Sequence, residues 1–292
     1  MSYKSGFVAI VGRPNVGKST LINRLVGQKV AIVSDRPQTT RNRIMGVCHQ
    51  PAGQIVFFDT PGIHQATIKL NQRMVQYALA SLKEVDLVLF LVEPEAPQPA
   101  DGWIAERLRR VKTPTLLVVN KIDLVSPVHL IPMLDTYNKA GHYAGLVPLS
   151  AKDGSNVDRL FEQMWAHLPE GEPLFDAETV TDQPIRFLAA EVIREKVIEL
   201  TRLEIPYAVA VEIESFKEAE NGITIDATLF VERPSQKGIL IGAGGKMLKT
   251  IGTRARLEIA ALLGAPTHLT LWVKVKPAWR QSDAILKQLG YV

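Results

Sequence analysis

The chain is short of the features that would place it in a specialised class. Its single cysteine in 292 residues, Cys48, excludes an internal disulfide and a cysteine-built zinc site. No apolar run approaches the roughly 18 residues that span a bilayer. The opening Met1-Ser2-Tyr3-Lys4-Ser5-Gly6 runs straight into a short apolar strand, without a leader's design, so a cytoplasmic protein is expected. Internal repeats and low-complexity tracts are lacking. Hydrophobic residues at 46% and charged residues at 22% exclude disordered, collagen-like and coiled-coil chains. At about 150 residues per domain, the length suggests two domains.

Acid is scarce in one place only. The net charge of +4 conceals a split: residues 233–292 hold ten Lys and Arg against two Asp and Glu, or +8. Residues 171–232 hold five against 14, or −9, and residues 1–170 hold 19 against 14, or +5. A basic tail after an acidic stretch points to an anionic partner.

Residues 5–168 alternate apolar runs with helical patterns. Runs at 7–11, 55–58, 85–92 and 115–119 suit strands of a mostly parallel sheet, buried on both faces by helices expected at 18–26, 67–82, 101–111, 127–139 and 155–167. Such an α/β domain (1–168) places its site at the carboxyl ends of its strands. A Pro- and acid-rich stretch, 169–183, reads as a linker. Residues 184–292 then follow an α-β-β-α-α-β order with a terminal helix, a smaller α+β domain. Its helices are expected at 185–200, up to Leu263 and near 282–289, and its strands at 207–213, 223–231 and 269–275.

Gly12-Arg13-Pro14-Asn15-Val16-Gly17-Lys18-Ser19, followed by Thr20, is a full phosphate-loop motif between a strand and a helix. Its glycines let backbone N–H groups curl around phosphates, Lys18 reaches the β- and γ-phosphates, and the Ser19 hydroxyl ligates Mg²⁺. Asp59-Thr60-Pro61-Gly62 ends the next strand, with Asp59 placed to hold Mg²⁺ and the Gly62 N–H to sense the γ-phosphate. Asn120-Lys121-Ile122-Asp123 supplies a carboxylate that accepts two hydrogen bonds from guanine and none from adenine. Ser150-Ala151-Lys152 backs the base with a main-chain N–H. In order at strand ends, the four elements predict a site for GTP and GDP.

Between them, Thr39 and Thr40 centre a segment that meets Mg²⁺ and γ-phosphate in the triphosphate state of guanine-nucleotide switches. Thr40, beside Arg41, is chosen by resemblance to related GTPases, and Thr39 is the alternative. Lys18, Thr40 and Gly62 are the candidate catalytic groups, and Ser19, Thr40 and Asp59 the metal ligands. Ile63 stands where signalling GTPases put a water-orienting glutamine, so slow intrinsic turnover is expected. His64 is a weaker candidate base, and Arg13 and Arg41 candidate charges in cis. Asn15 and the Thr-Arg pair resemble GTPases in which K⁺ supplies charge beside the phosphates.

In the second domain, Ile241-Gly242-Ala243-Gly244-Gly245 reads as a G-x-x-G loop, which clamps single-stranded nucleic-acid backbone. Lys237, Lys246 and Lys249 flank it for phosphate contact. Trp279 and Arg280 are candidates to stack on a base or to pack the core.

These motifs, with Pro37-Gln38-Thr39-Thr40-Arg41, Ile63-His64 and Val273-Lys274-Val275-Lys276, resemble the Era family of bacterial GTPases over essentially the whole chain. The resemblance implies a P-loop GTPase domain followed by a type II KH domain. It implies a monomeric switch in 30S ribosomal subunit assembly that binds 16S rRNA near its 3′ end in the GTP state, with peripheral inner-membrane association. The alternative is a membrane-associated regulatory GTPase of growth or cell cycle. Family members often carry a polar or basic residue inside the G-x-x-G loop; Ala243-Gly244 departs from this, leaving phosphate contact to backbone N–H groups and flanking lysines.

Overall fold

The computed structural model describes residues 2–63, 68–82 and 84–291. The chain divides into two compact units, the second consisting chiefly of the residues from Gln183 onward. In the first, β1 (Lys4–Gly12), α1 (Lys18–Val26), β2 (Ile44–Gln50), β3 (Gly53–Asp59) and α2 (Lys69–Ser81) come first. They are followed by β4 (Leu87–Val92), α3 (Pro99–Leu108), β5 (Thr115–Val119), α4 (Pro127–Ala140), β6 (Gly145–Pro148) and α5 (Val157–His167). The sheet runs β2-β3-β1-β4-β5-β6, parallel except for β2 against β3. Every residue of β3, β4 and β5 is buried, which is why these strands read as unbroken apolar runs. The register pairs Ile10 with Asp59, Gly12 with Leu91 and Val92 with Val119. The loops after β1, β3, β4 and β5 therefore leave the sheet along one edge.

The second unit is α6 (Ile185–Leu200), α7 (Ile205–Ala208), β7 (Ala210–Ala219), β8 (Gly222–Val231), α8 (Pro234–Ile241), α9 (Lys246–Leu263), β9 (Thr267–Val275) and α10 (Asp283–Gln288). Its sheet is β7-β8-β9, with β7 antiparallel and β9 parallel to β8. Alternate residues of β8 (Ile225, Ala227, Leu229, Val231) meet Ile251, Ala255 and Ile259 of α9 and Val192, Ile193 and Val197 of α6 in one core. The period of two in the strand and of four in α9 shows in the sequence.

Two expectations need correction, and the strand at 44–50 is not among those expected. The run Ile44–Gln50, broken by Gly46 and His49, is the antiparallel edge strand β2. The expected strand 207–213 starts later: Ile205–Ala208 is a helical turn, opened by Pro206 near its N-terminus, and β7 begins at Ala210. Residues 169–182 are packed on the first unit rather than forming a free linker. Ser5 N–H donates to the Pro169 carbonyl at 3.1 Å, and Gly171 N–H to that of Tyr3 at 3.1 Å. Val47 N–H donates to the Val180 carbonyl at 2.8 Å, so this strap covers part of the exposed edge of β2.

Candidate nucleotide site and nucleic-acid groove

The loop Gly12–Ser19 turns on residues in unusual backbone states. Gly17 has φ +95°, and a Cβ there would stand 2.2 Å from the Asn120 amide nitrogen, so the close approach requires glycine. Lys18 at the start of α1 is buried, its ammonium donating to the carbonyls of Arg13 at 2.7 Å and Gly12 at 3.3 Å. Burial lowers its pKa to about 8, against the opposing pull of Asp59.

Ser19, Thr40 and Asp59 converge. The Ser19 hydroxyl donates to Asp59 Oδ2 at 2.7 Å and lies 2.8 Å from the Thr40 hydroxyl, which itself donates to Asp59 Oδ2 at 3.2 Å. Asp59 is fully buried, and burial is the largest cause of its raised pKa. Its second oxygen, Oδ1, is buried with no hydrogen-bond partner. An orphaned carboxylate oxygen beside two hydroxyls fits a hard, oxygen-liganded cation such as Mg²⁺. The geometry separates the two threonines, since the Thr39 hydroxyl donates instead to the Arg36 carbonyl at 2.7 Å. Asn15, at φ 68°, donates its side-chain amide to the Asp35 carbonyl at 2.7 Å, tying the phosphate loop to the Thr40 segment.

Thr60 anchors the turn after β3 through its hydroxyl to the Ile10 carbonyl at 2.7 Å. Gly62 lies against the phosphate loop, where an added Cβ would stand 2.7 Å from Pro14 N. Ile63 is core: 1% exposed, it packs with Ala9 and Val11 and donates its N–H to the Gly12 carbonyl at 3.0 Å. His64 lies outside the described residues. Arg13 and Arg41 are not solvated: Arg13 is held by Asp101 at 2.7 Å and Glu95 at 2.8 Å, and Arg41 is buried.

At the other end, Asn120 is a bracket. Its amide donates to the Val16 carbonyl at 2.8 Å and accepts the Ala151 N–H at 2.9 Å. The Ala151 N–H thus ties the Ser150–Lys152 loop, expected to offer a main-chain N–H to the base, to the end of β5. Arg24 of α1 binds the carbonyls of Ala151 and Lys152 and pins the same loop. Asp123 is exposed on the short turn Ile122–Leu124. A cleft of about 380 Å³ runs from Pro14, Lys18 and Thr40 past Gly62 to Glu93 and Lys121. Asp123 and Ser150–Lys152 are not among its walls.

In the second unit, Gly242, Gly244 and Gly245 have φ of +71°, +58° and +78°. A Cβ at Gly242 would stand 2.7 Å from that of Met247. The loop needs its glycines to reverse the chain between α8 and α9. A groove of about 570 Å³ lies between α9 and β9. Gly245 and Lys249 line it; Lys237, Ile241, Gly242, Ala243, Gly244 and Lys246 do not. Sequence reasoning missed Gly252, Arg256, His268 and Thr270, which also line it. The spacing 245, 249, 252, 256 is one helical face and carried the signal. Trp279 is core, fully buried with its indole N–H on the Ala208 carbonyl at 2.9 Å, and Arg280 pairs with Glu232.

The model of the 50S ribosome-binding GTPase family matches residues 7–121, and that of the KH domain matches residues 204–280. The chain is 51% identical to GTPase Era of Heliobacterium modesticaldum over 290 residues, 99% of this chain and 97% of that protein. It is 50% identical to GTPase Era of Geobacter metallireducens over 292 residues, 99% and 98% of the two chains. The chain belongs to the Era family of GTPases. Its fold agrees with solved Era structures over 99% of both chains: Aquifex aeolicus Era bound to GDP·AlF4⁻ (42% identity, TM-score 0.96), and Era in complex with MgGDPNP and nucleotides 1506–1542 of 16S ribosomal RNA (43%, 0.97). As an Era-family enzyme it hydrolyses GTP to GDP and phosphate. The expected architecture, a P-loop GTPase unit followed by a KH unit, holds.

Proposed function

We propose that this GTPase binds MgGTP in the cleft of its first unit and single-stranded RNA near the 3′ end of 16S rRNA in the groove of its second, as a switch in 30S subunit assembly. The observation that carries the reading is the pairing, in one chain, of a phosphate-loop cleft with a glycine loop opening a groove walled by Lys249 and Arg256. An Era solved with MgGDPNP and 16S rRNA supports it.

Backbone N–H groups of residues 12–18 and the N-terminus of α1 bind the phosphates, and Lys18 moves its ammonium from two carbonyls to the β- and γ-oxygens. Ser19, Thr40 and Asp59 hold Mg²⁺, whose charge stabilises that developing on the phosphoryl oxygens. Gly62 closes on the γ-phosphate through its N–H, and Asp123 selects guanine. Because Ile63 is core, water must be oriented by backbone and by the Thr40 segment, and turnover without a partner is slow. Asn15 is the candidate ligand for K⁺ beside the phosphates; faster turnover in KCl than in NaCl supports it, and equal rates remove it.

RNA contact rests on backbone N–H groups of Gly242–Gly245 and on Lys237, Lys246, Lys249 and Arg256. No helix among the described residues is long and apolar enough to cross a membrane. Peripheral association with the inner membrane is part of the proposal, and vesicle flotation after RNase treatment tests it. The protein acts as a monomer, which light scattering checks. The reading as a whole is tested by crosslinking to cellular RNA with a non-hydrolysable GTP analogue and with GDP. Reads concentrated at the 16S 3′ end, and more of them with the analogue, support it. Reads spread without preference contradict it.

A further inference from the structure

Glu93 follows the last residue of β4 and carries no expected role, yet it lies where the two ends of the nucleotide cleft approach each other. Its carboxylate forms an ion pair with Lys121, and its Oε2 lies 3.6 Å from the Arg13 guanidinium. Lys121 belongs to the guanine end and Arg13 to the phosphate loop. Both Glu93 and Lys121 line the cleft. The pairing is built rather than incidental. Arg13 is only 17% exposed; its Nε is gripped by Asp101, itself 2% exposed and accepting the Gln98 N–H at 3.0 Å, and its Nη2 is shared between Glu95 at 2.8 Å and Glu93 at 3.6 Å. Lys121 stands at φ 64°, a left-handed state that a non-glycine residue holds only when its surroundings fix it. The Arg13 carbonyl in turn receives the Lys18 ammonium at 2.7 Å. A chain of contacts therefore runs from the base end through Glu93 and Arg13 to the lysine of the phosphate loop.

We infer that Glu93 is a positioning residue for nucleotide binding: one carboxylate fixes Lys121 and Arg13 to each other, setting the span between the guanine and phosphate ends of the cleft. It contacts groups common to the di- and triphosphate states, so it governs affinity for both alike. The inference rests on the reading of this cleft as the nucleotide site.

The test is Glu93→Gln in the full chain, isosteric and on a side chain 25% exposed, with Lys18→Ala run beside it. Kd for GDP and for GDPNP is expected to rise about tenfold in both, the usual size of one lost charge-assisted contact. KM is expected to rise with them while kcat holds. In a double-mutant cycle, Lys121→Met added to Glu93→Gln is expected to cost less than Lys121→Met alone. Affinities within twofold of wild type, a loss confined to one nucleotide, or additive effects would overturn the inference. If Lys18→Ala also binds normally, the cleft reading itself fails. If Lys18→Ala loses affinity and Glu93→Gln does not, only the role of Glu93 does. Melting temperatures of the nucleotide-free variants identify unfolding, and Glu93→Ala offers a second substitution should Gln fail to fold.

Discussion

Lys18 illustrates how burial and function are set against each other. An ammonium held on two carbonyls inside the protein is poorly solvated, and its pKa falls to about 8 from the ordinary 10.5. Between those values the free protein carries fewer protons than the unfolded chain, so its stability rises with pH across that window. A polyphosphate favours the charged form. GDP affinity is therefore expected to weaken as pH rises through about 8, and binding at pH 8.5 to take up protons, seen by calorimetry in two buffers of different ionisation enthalpy. No proton uptake would contradict this. Asp123→Asn is expected to exchange guanine for xanthine preference, checked by competition of XTP against GTP. The convergence of Lys18, Ser19 and Asp59 is legible in the sequence because the spacing of the motif dictates the loop. Thr40 is preferred to Thr39 by resemblance alone in the sequence, and its hydroxyl lies 2.8 Å from that of Ser19. The burial of Trp279 was not legible, since an indole after a strand reads the same in core and on surface.

Elements with a clean period are legible in the sequence, and those defined by their partners are not. Strands β3 to β5 and helix α9 announce themselves by unbroken apolar runs or by a spacing of four. The strap 169–182 does not, because it is fixed by groups that leave no pattern. Gln54 of β3, fully buried, donates to the Phe175 carbonyl at 2.7 Å and accepts the N–H groups of Leu174 at 2.7 Å and Phe175 at 2.9 Å. Gln54→Ala leaves those main-chain groups without their partner and is expected to cost about 1–3 kcal/mol, measured by denaturant unfolding. It should also speed amide exchange at Leu174 and Phe175. In α9, Gly252 lies mid-helix, and an added Cβ would meet Leu271 at an ordinary 3.5 Å. Gly252→Ala is therefore expected to stabilise the protein by about 0.5–1 kcal/mol. Destabilisation would show that the groove wall needs the glycine for packing.

Over the whole molecule, the net charge of +4 is the residue of opposed parts. The basic last sixty residues hold the glycine loop, Lys246, Lys249 and Arg256, while the acidic stretch includes the strap on the first unit and the ion pairs of α6, where Glu191 neutralises the buried Arg194 at 2.6 Å. Part of the acid is thus structural, and the basic excess belongs to the groove-bearing end of the chain. In the proposed function, one chain couples a nucleotide cleft to an RNA groove. The most direct measurement of that coupling is a titration of a single-stranded RNA of the 16S 3′ end, with GDPNP and with GDP, on wild type and on the double variant Gly242→Asp, Gly245→Asp. Tighter binding with GDPNP is expected, with affinity falling steeply with salt and binding lost in the variant while GTP hydrolysis persists. Equal RNA affinity in both nucleotide states, or a variant that binds as wild type does, would contradict the proposed coupling.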